Sequence, residues 1–112
     1  MSTVEQFVDA QGRQWVVVPA PAYVDGKGGR ELADISHRLL EKGVAHIVLD
    51  FGETRVVNSV GIARLIEIVE AFRERDGGVA LCTSNPLIVK TFRMMGLAQK
   101  ATLRECVQEA IQ

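Results

Sequence analysis

Neither sign of charge dominates this sequence. Thirteen Lys and Arg stand against fourteen Asp and Glu, a formal net charge of −1, so the chain lacks the basic field that draws a protein to nucleic acid. It also lacks any apolar stretch approaching the roughly 20 residues of a membrane span, which excludes direct insertion as a helix. The N-terminal run MSTVEQFVDA has neither the basic start nor the apolar core of a secretory signal, and a cytoplasmic location is expected. Cysteine is scarce. Cys82 and Cys106 are far apart and show no metal-ligand spacing, and Cys82 in VALCT reads as a small buried hydrophobe. His37 follows a helical pattern and His46 opens an apolar run. Neither has a Cys, Asp or Glu neighbour at ligand spacing, so no metal is expected. What remains is a chain of 112 residues, 47% hydrophobic and 24% charged, which fits one domain with a packed core rather than a disordered segment.

The pattern alternates between strand and helix. TVEQFVDAQGRQWVVVPAP reads as two strands around Gly12, the second ended by Pro19 and Pro21. AYVDGKGG reads as a loop. From Arg30 to Lys42, Leu32, Ile35, Leu39 and Leu40 recur at helical spacing, and Gly43 is a natural stop. AHIVLDF is a short continuous apolar run, suited to a strand buried on both faces. After GETRVV, the residues Ile62, Leu65, Ile66, Val69 and Phe72 define one helical face, so a helix is expected from about Ser59 to before Gly77. GVALCT is the next buried strand. SNPLIVKTFRMMG carries Asn85 before Pro86 at a helix start and Gly96 as a stop. ATLRECVQEAI holds a brief extended piece and a final helix with Val107, Ala110 and Ile111 inward. Strands separated by helices imply right-handed crossovers and a mainly parallel sheet. The expectation is a single α/β domain over residues 1–112, with four to five strands, an N-terminal hairpin and about four helices.

One stretch is out of character. VVNSVGI places Asn58 and Ser59 inside an apolar run, where a buried polar pair would need partners. At a strand-to-helix junction either side chain can cap the free amides of the first turn, and losing a cap costs on the order of 1 kcal/mol. On that reading Ser59 is a cap, and its removal destabilises the helix.

The order of residues carries more. HIVLDFGETRVVNSVGIARLIEIVEAF resembles the core of the STAS family, in particular the bacterial anti-sigma factor antagonists: an apolar strand ending in Asp, a short loop, an apolar pair, then Asp-Ser-Ser/Thr-Gly-Leu opening a helix. Asp50, Ser59 and Gly61 stand at the family's spacing, and SNPLIVKTFRMMGL is similar to a later family segment through Asn85, Pro86, Gly96 and Leu97. AYVDGKGGREL occupies the place of the family's Gly-x-Leu-Asp loop, matching at Asp25 and Leu32. The family usually has Asp where this chain has Asn58, and Ser or Thr where it has Val60. Asn keeps the capping oxygen without the charge, and Val60 leaves Ser59 the only hydroxyl of the motif.

The resemblance implies a phospho-switch in transcription regulation. Ser59 would be phosphorylated by a histidine-kinase-like serine kinase that is also an anti-sigma factor. The unphosphorylated protein would bind that kinase and free the sigma factor, and a PP2C-type phosphatase would reset the cycle. Asp25, Asn58, Val60, Gly61, Arg64, Glu67 and Ile68 are the expected partner-binding residues, the last ones on the side of the helix turned from the core. A phosphate at a helix N-terminus meets unpaired amides and the positive end of the dipole, so the fold should tolerate it. The rival reading within the family is a non-switching scaffold, such as a lipid ABC transporter component or a module of a signalling assembly. Catalysis and a cofactor are not expected: GKGG at 26–29 lacks both nucleotide-loop patterns, and no nucleophile–base or paired-carboxylate order stands out.

Overall fold

The computed structural model describes residues 5–111. In chain order the elements are β1 (Glu5–Val8), β2 (Gln14–Pro19), β3 (Tyr23–Val24), α1 (Gly26–Glu41), β4 (His46–Asp50), β5 (Val56–Val57), α2 (Ser59–Glu74), β6 (Gly78–Cys82), α3 (Pro86–Met94), α4 (Leu97–Lys100), β7 (Thr102–Arg104) and α5 (Val107–Ala110). The first two strands form the expected antiparallel hairpin around Gly12, whose φ is +82°. Thr3 and Val4, expected in its first strand, lie outside the described residues. Asp9 fixes the turn: its carboxylate accepts from the Gln11 and Arg13 amides, the Arg13 guanidinium and the Trp15 indole. The indole bond leads the contacts that hold this carboxyl well below the usual range.

The main sheet runs β1-β2-β4-β6-β7, and every pairing after the hairpin is parallel. Strand alternation gives it two apolar faces. Val16, Val18, Ile47, Leu49, Val79 and Leu81 meet α1 to α4 in the larger core. Trp15, Val17, Val48, Ala80 and Cys82 form the smaller one, joined by Phe7, Val107, Ala110 and Ile111. Cys82 is buried there, which pushes its thiol up to about 12, while Cys106 is exposed at the start of α5. His46 packs its ring on Trp15 at 5.0 Å, and burial lowers its pKa.

Three expectations need correction. AYVDGKGG is not a loop, because Tyr23 and Val24 form β3 and α1 begins at Gly26 rather than Arg30. Glycine is a poor helix former, which conceals the start, yet close packing requires it here. A Cβ on Gly28 would collide with the Tyr23 carbonyl oxygen, and one on Gly29 would sit 3.2 Å from the Gly61 Cα. β5 and α4 were also not foreseen; the first is two residues long and the second four. Finally, Ile68 is not on an exposed face. It is fully buried with Ile62, Leu65, Val69 and Phe72, whereas Ile66 is only partly buried. The reason is geometric: α2 is covered by the sheet and also by α1 beside it. Its buried arc is therefore wider than one stripe, and Ile68 lies two turns along from Gly61 on the same side.

Candidate functional site

The strand-to-helix junction at residues 57–61 is built by a contact between distant segments. β3 and β5 pair in parallel, Tyr23 with Val56 and Val24 with Val57. Around them the Arg55 amide donates to the Ala22 carbonyl at 2.7 Å, the Thr54 hydroxyl to the Pro21 carbonyl at 2.8 Å, and the Asn58 amide to the Val24 carbonyl at 3.2 Å. This small sheet ties residues 20–25 to residues 54–58, so α1 and α2 start side by side.

Each start is capped by the residue before it. Asp25 accepts from the Gly28 amide at 2.9 Å, and Asn58 accepts from the Gly61 amide at 2.9 Å. Both residues are extended, as an N-cap must be. The cap of α2 is therefore Asn58 alone. Ser59 is the first helical residue, it is exposed, and among the described residues its hydroxyl makes no hydrogen bond. That corrects the reading of Ser59 as a cap. The Ser59 and Val60 amides, as the first two of a 16-residue helix, have no intrahelical acceptor. The hydroxyl thus sits uncommitted at the positive end of a long helix.

The other predicted residues divide. Val60 is 52% exposed, Glu67 is exposed, and Arg64 is partly exposed with its guanidinium 3.2 Å from the Glu67 carboxylate. The stem of Arg64 lies across the Gly29 side of α1. Asp25 is half-buried at its cap. Gly61 offers no surface: it is buried, and a Cβ there would collide with the Val24 carbonyl oxygen. It lets helix and strand approach. Asp50 ends β4 with its side chain accepting from the Gly52 amide, and Asn85 caps α3 by accepting from the Leu87 amide.

Two residues of this rim were not read from the sequence. Tyr23 is 55% and Val56 48% exposed. Their register places them opposite one another, and the space beside Gly26 brings Val60 next to the same end of α1. Tyr23, Val56 and Val60 form an exposed apolar border near Ser59. Periodicity could not find it, because two-residue strands have none; a single aromatic before Val-Asp at a helix start was the only available signal.

The junction presents a primary alcohol with no base. No imidazole or carboxylate among the described residues hydrogen-bonds to Ser59, so the protein itself supplies nothing to activate it. Nor do the described residues contain a group of three His, Cys, Asp or Glu that could hold a metal. No described helix is long and apolar enough to cross a membrane.

A mostly parallel sheet with a leading hairpin, and an exposed serine opening its second helix behind an Asn cap, define a small α/β domain. The STAS domain family model matches residues 30–110, and the chain belongs to that family. Solved structures agree on the fold. TM1081 of Thermotoga maritima superposes with a TM-score of 0.77 at 15% identity, covering 96% of this chain and 90% of that one. An anti-sigma factor antagonist (STAS) domain protein of Planctomyces limnophilus gives 0.73 at 18% identity, covering 99% and 96%. The Bacillus cell fate determinant SpoIIAA in its phosphorylated form gives 0.69 at 17% identity, covering 97% and 96%.

Proposed function

We propose that this protein is a phospho-switch of the anti-sigma factor antagonist kind, cytoplasmic and regulatory, with Ser59 as its acceptor. Unphosphorylated, it binds a histidine-kinase-like anti-sigma factor that is also a serine kinase; phosphorylation releases it, and a PP2C-type phosphatase restores it. The observation that carries the reading is the uncommitted Ser59 hydroxyl, exposed on a helix whose cap is already supplied by Asn58. SpoIIAA, similar in fold, has been solved both phosphorylated and unphosphorylated, which supports a switch on this scaffold.

The kinase and its ATP supply the chemistry. The Ser59 oxygen bonds to the γ-phosphorus, the bond to ADP breaks, and the hydroxyl proton passes to a base on the kinase side. The product adds about −1.5 to −2 charge beside Tyr23, Val56 and Val60. The open first-turn amides accept that charge within the protein, so the fold persists. A partner packed on the apolar border must bury the phosphate or leave. Asp25 and Asn58 hold the two helix starts in place, while Val60, Arg64 and Glu67 form the neighbouring contact face.

The test is incubation with a candidate kinase and ATP, followed by phosphosite mapping. Phosphate is expected on Ser59, with none incorporated into Ser59→Ala, which still binds the kinase. Equal incorporation into Ser59→Ala overturns the assignment. Stable binding with no incorporation at all would return the protein to the scaffold reading.

A further inference from the structure

Asn58 has a capacity that capping leaves unused. It accepts from the Gly61 amide at 2.9 Å through Oδ1. An amide N–H needs an acceptor, so this bond fixes the side chain with its oxygen toward the helix and Nδ2 turned away. Nδ2 carries two protons and makes no hydrogen bond among the described residues, and Asn58 is exposed. Its neighbour Ser59 opens α2. Helical side chains lean toward the helix N-terminus, which here is Asn58. Successive Cα atoms are about 3.8 Å apart. A phosphoryl oxygen on Ser59 is thus within reach of Nδ2 for a charge-assisted bond of about 2.8 Å.

More distant charges do not decide the state of such a group. Around the junction stand Asp25 and Lys27 at the start of α1, Glu53 and Arg55 before β5, and the paired Arg64 and Glu67 on α2. Cations and anions offset one another there, and the Tyr23, Val56 and Val60 border adds no charge. The residue beside the serine therefore matters most. An Asp at position 58 would cap α2 equally well. Its second oxygen, however, would set a negative charge against the phosphate. Asn58 presents a donor in the same place.

Given Ser59 as the acceptor, on which this rests, we propose that Asn58 holds the phosphoryl group through Nδ2 and keeps it fully dianionic at neutral pH. A free phosphoserine has a second pKa of about 6, so near pH 7 it carries only about −1.5 to −2. A donor that bonds the dianion more strongly than the monoanion lowers that pKa and completes the charge. Before phosphorylation the same residue is neutral, and an apolar partner surface has no carboxylate to desolvate at position 58. Asn58 thus widens the electrostatic difference between the two states of the switch.

The test uses the 112-residue protein with phosphoserine installed at position 59 during synthesis, so the outcome does not depend on whether any kinase modifies it. The second pKa of the phosphate is read by phosphorus NMR between pH 5 and 8. Asn58→Asp should raise it by about 0.5–1, the effect of one added charge at close range near the surface. Asn58→Ser keeps a neutral cap but loses the amide donor, and should raise it by about 0.3. In the nitrogen-15-labelled parent, the Asn58 side-chain amide protons should move downfield with the same midpoint as the phosphorus signal. They should stay in place in the unphosphorylated protein. That readout needs no variant, and a residue that only caps the helix would not give it. Unchanged backbone spectra show that each variant is folded. A phosphate pKa equal in the parent and in Asn58→Ser overturns the proposal. So do Asn58 amide protons that ignore the ionisation of the phosphate.

Discussion

At the scale of single residues, the neighbours Asn58 and Ser59 separate into two jobs that composition alone would treat as one. Asn58→Ala removes the oxygen that holds the Gly61 amide, and it should cost about 1 kcal/mol in urea unfolding. Ser59→Ala removes a hydroxyl without a partner and should stay within about 0.5 kcal/mol of the parent. The reverse order of the two losses would restore Ser59 as the cap. The sequence places a polar pair at a helix start, but which of the two caps depends on where the helix turns begin. Ile68 shows the same limit from the apolar side. A single-stripe reading expels it from the core, because nothing in residues 59–74 announces that α1 lies alongside α2.

At the scale of elements, legibility mostly follows length, although the short β7 and α5 were foreseen in outline as well. The strands β2, β4 and β6 and the helices α2 and α3 are long enough to display a period, and all were foreseen close to their observed bounds. β3, β5 and α4 are too short to show one. The start of α1 was hidden for a different reason: the glycines that weaken its helical signal are those that let it pack against α2 and β3. Gly61→Ala tests that packing. Its Cβ is driven into the Val24 carbonyl, so a loss of about 1–3 kcal/mol is expected by thermal melting, in contrast to the gain usual for Gly→Ala inside a helix. The short β3–β5 pair also sets the border near Ser59. If the proposed partner kinase docks there, Tyr23→Ser or Val56→Ser should lower its affinity roughly tenfold, the range for an apolar contact at an interface. Far-UV circular dichroism should be unchanged, since both side chains are about half exposed. Unaltered affinity would move the contact elsewhere on the rim.

At the scale of the whole molecule, the two perturbed groups at the hairpin end of the sheet act in the same direction on acid stability. Asp9 titrates below its ordinary value because four donors hold its charged form. The stability linked to it is complete above the ordinary carboxylate range near 3.8 and is lost as pH falls further. His46 also titrates below its ordinary 6.5, for the opposite reason, because burial disfavours its cation. Below that value the unfolded chain takes up a proton that the folded chain resists, so stability again falls with pH. The melting temperature should decline in two stages, from pH 6.5 downward and again below about pH 4. His46→Phe should flatten the first stage and Asp9→Asn the second. A melting temperature independent of pH from 7 to 3 would contradict both assignments.

The pairing of β3 with β5 has a consequence for how a kinase could read this protein. The strands are far apart in the chain, separated by α1 and β4, so the serine is displayed only after the intervening elements have assembled. What an upstream enzyme recognises is then a shape and not a word: a short peptide spanning VVNSVGI contains every letter of the motif but lacks the Val24 strand and the adjacent α1. Such a peptide should be a far poorer substrate than the intact domain, with the deficit appearing in a side-by-side phosphorylation time course. A variant that loosens the small sheet, such as Gly61→Ala, should fall between the two. Phosphorylation would thereby be reserved for folded copies, and the switch would carry its own check on the integrity of the chain that bears it.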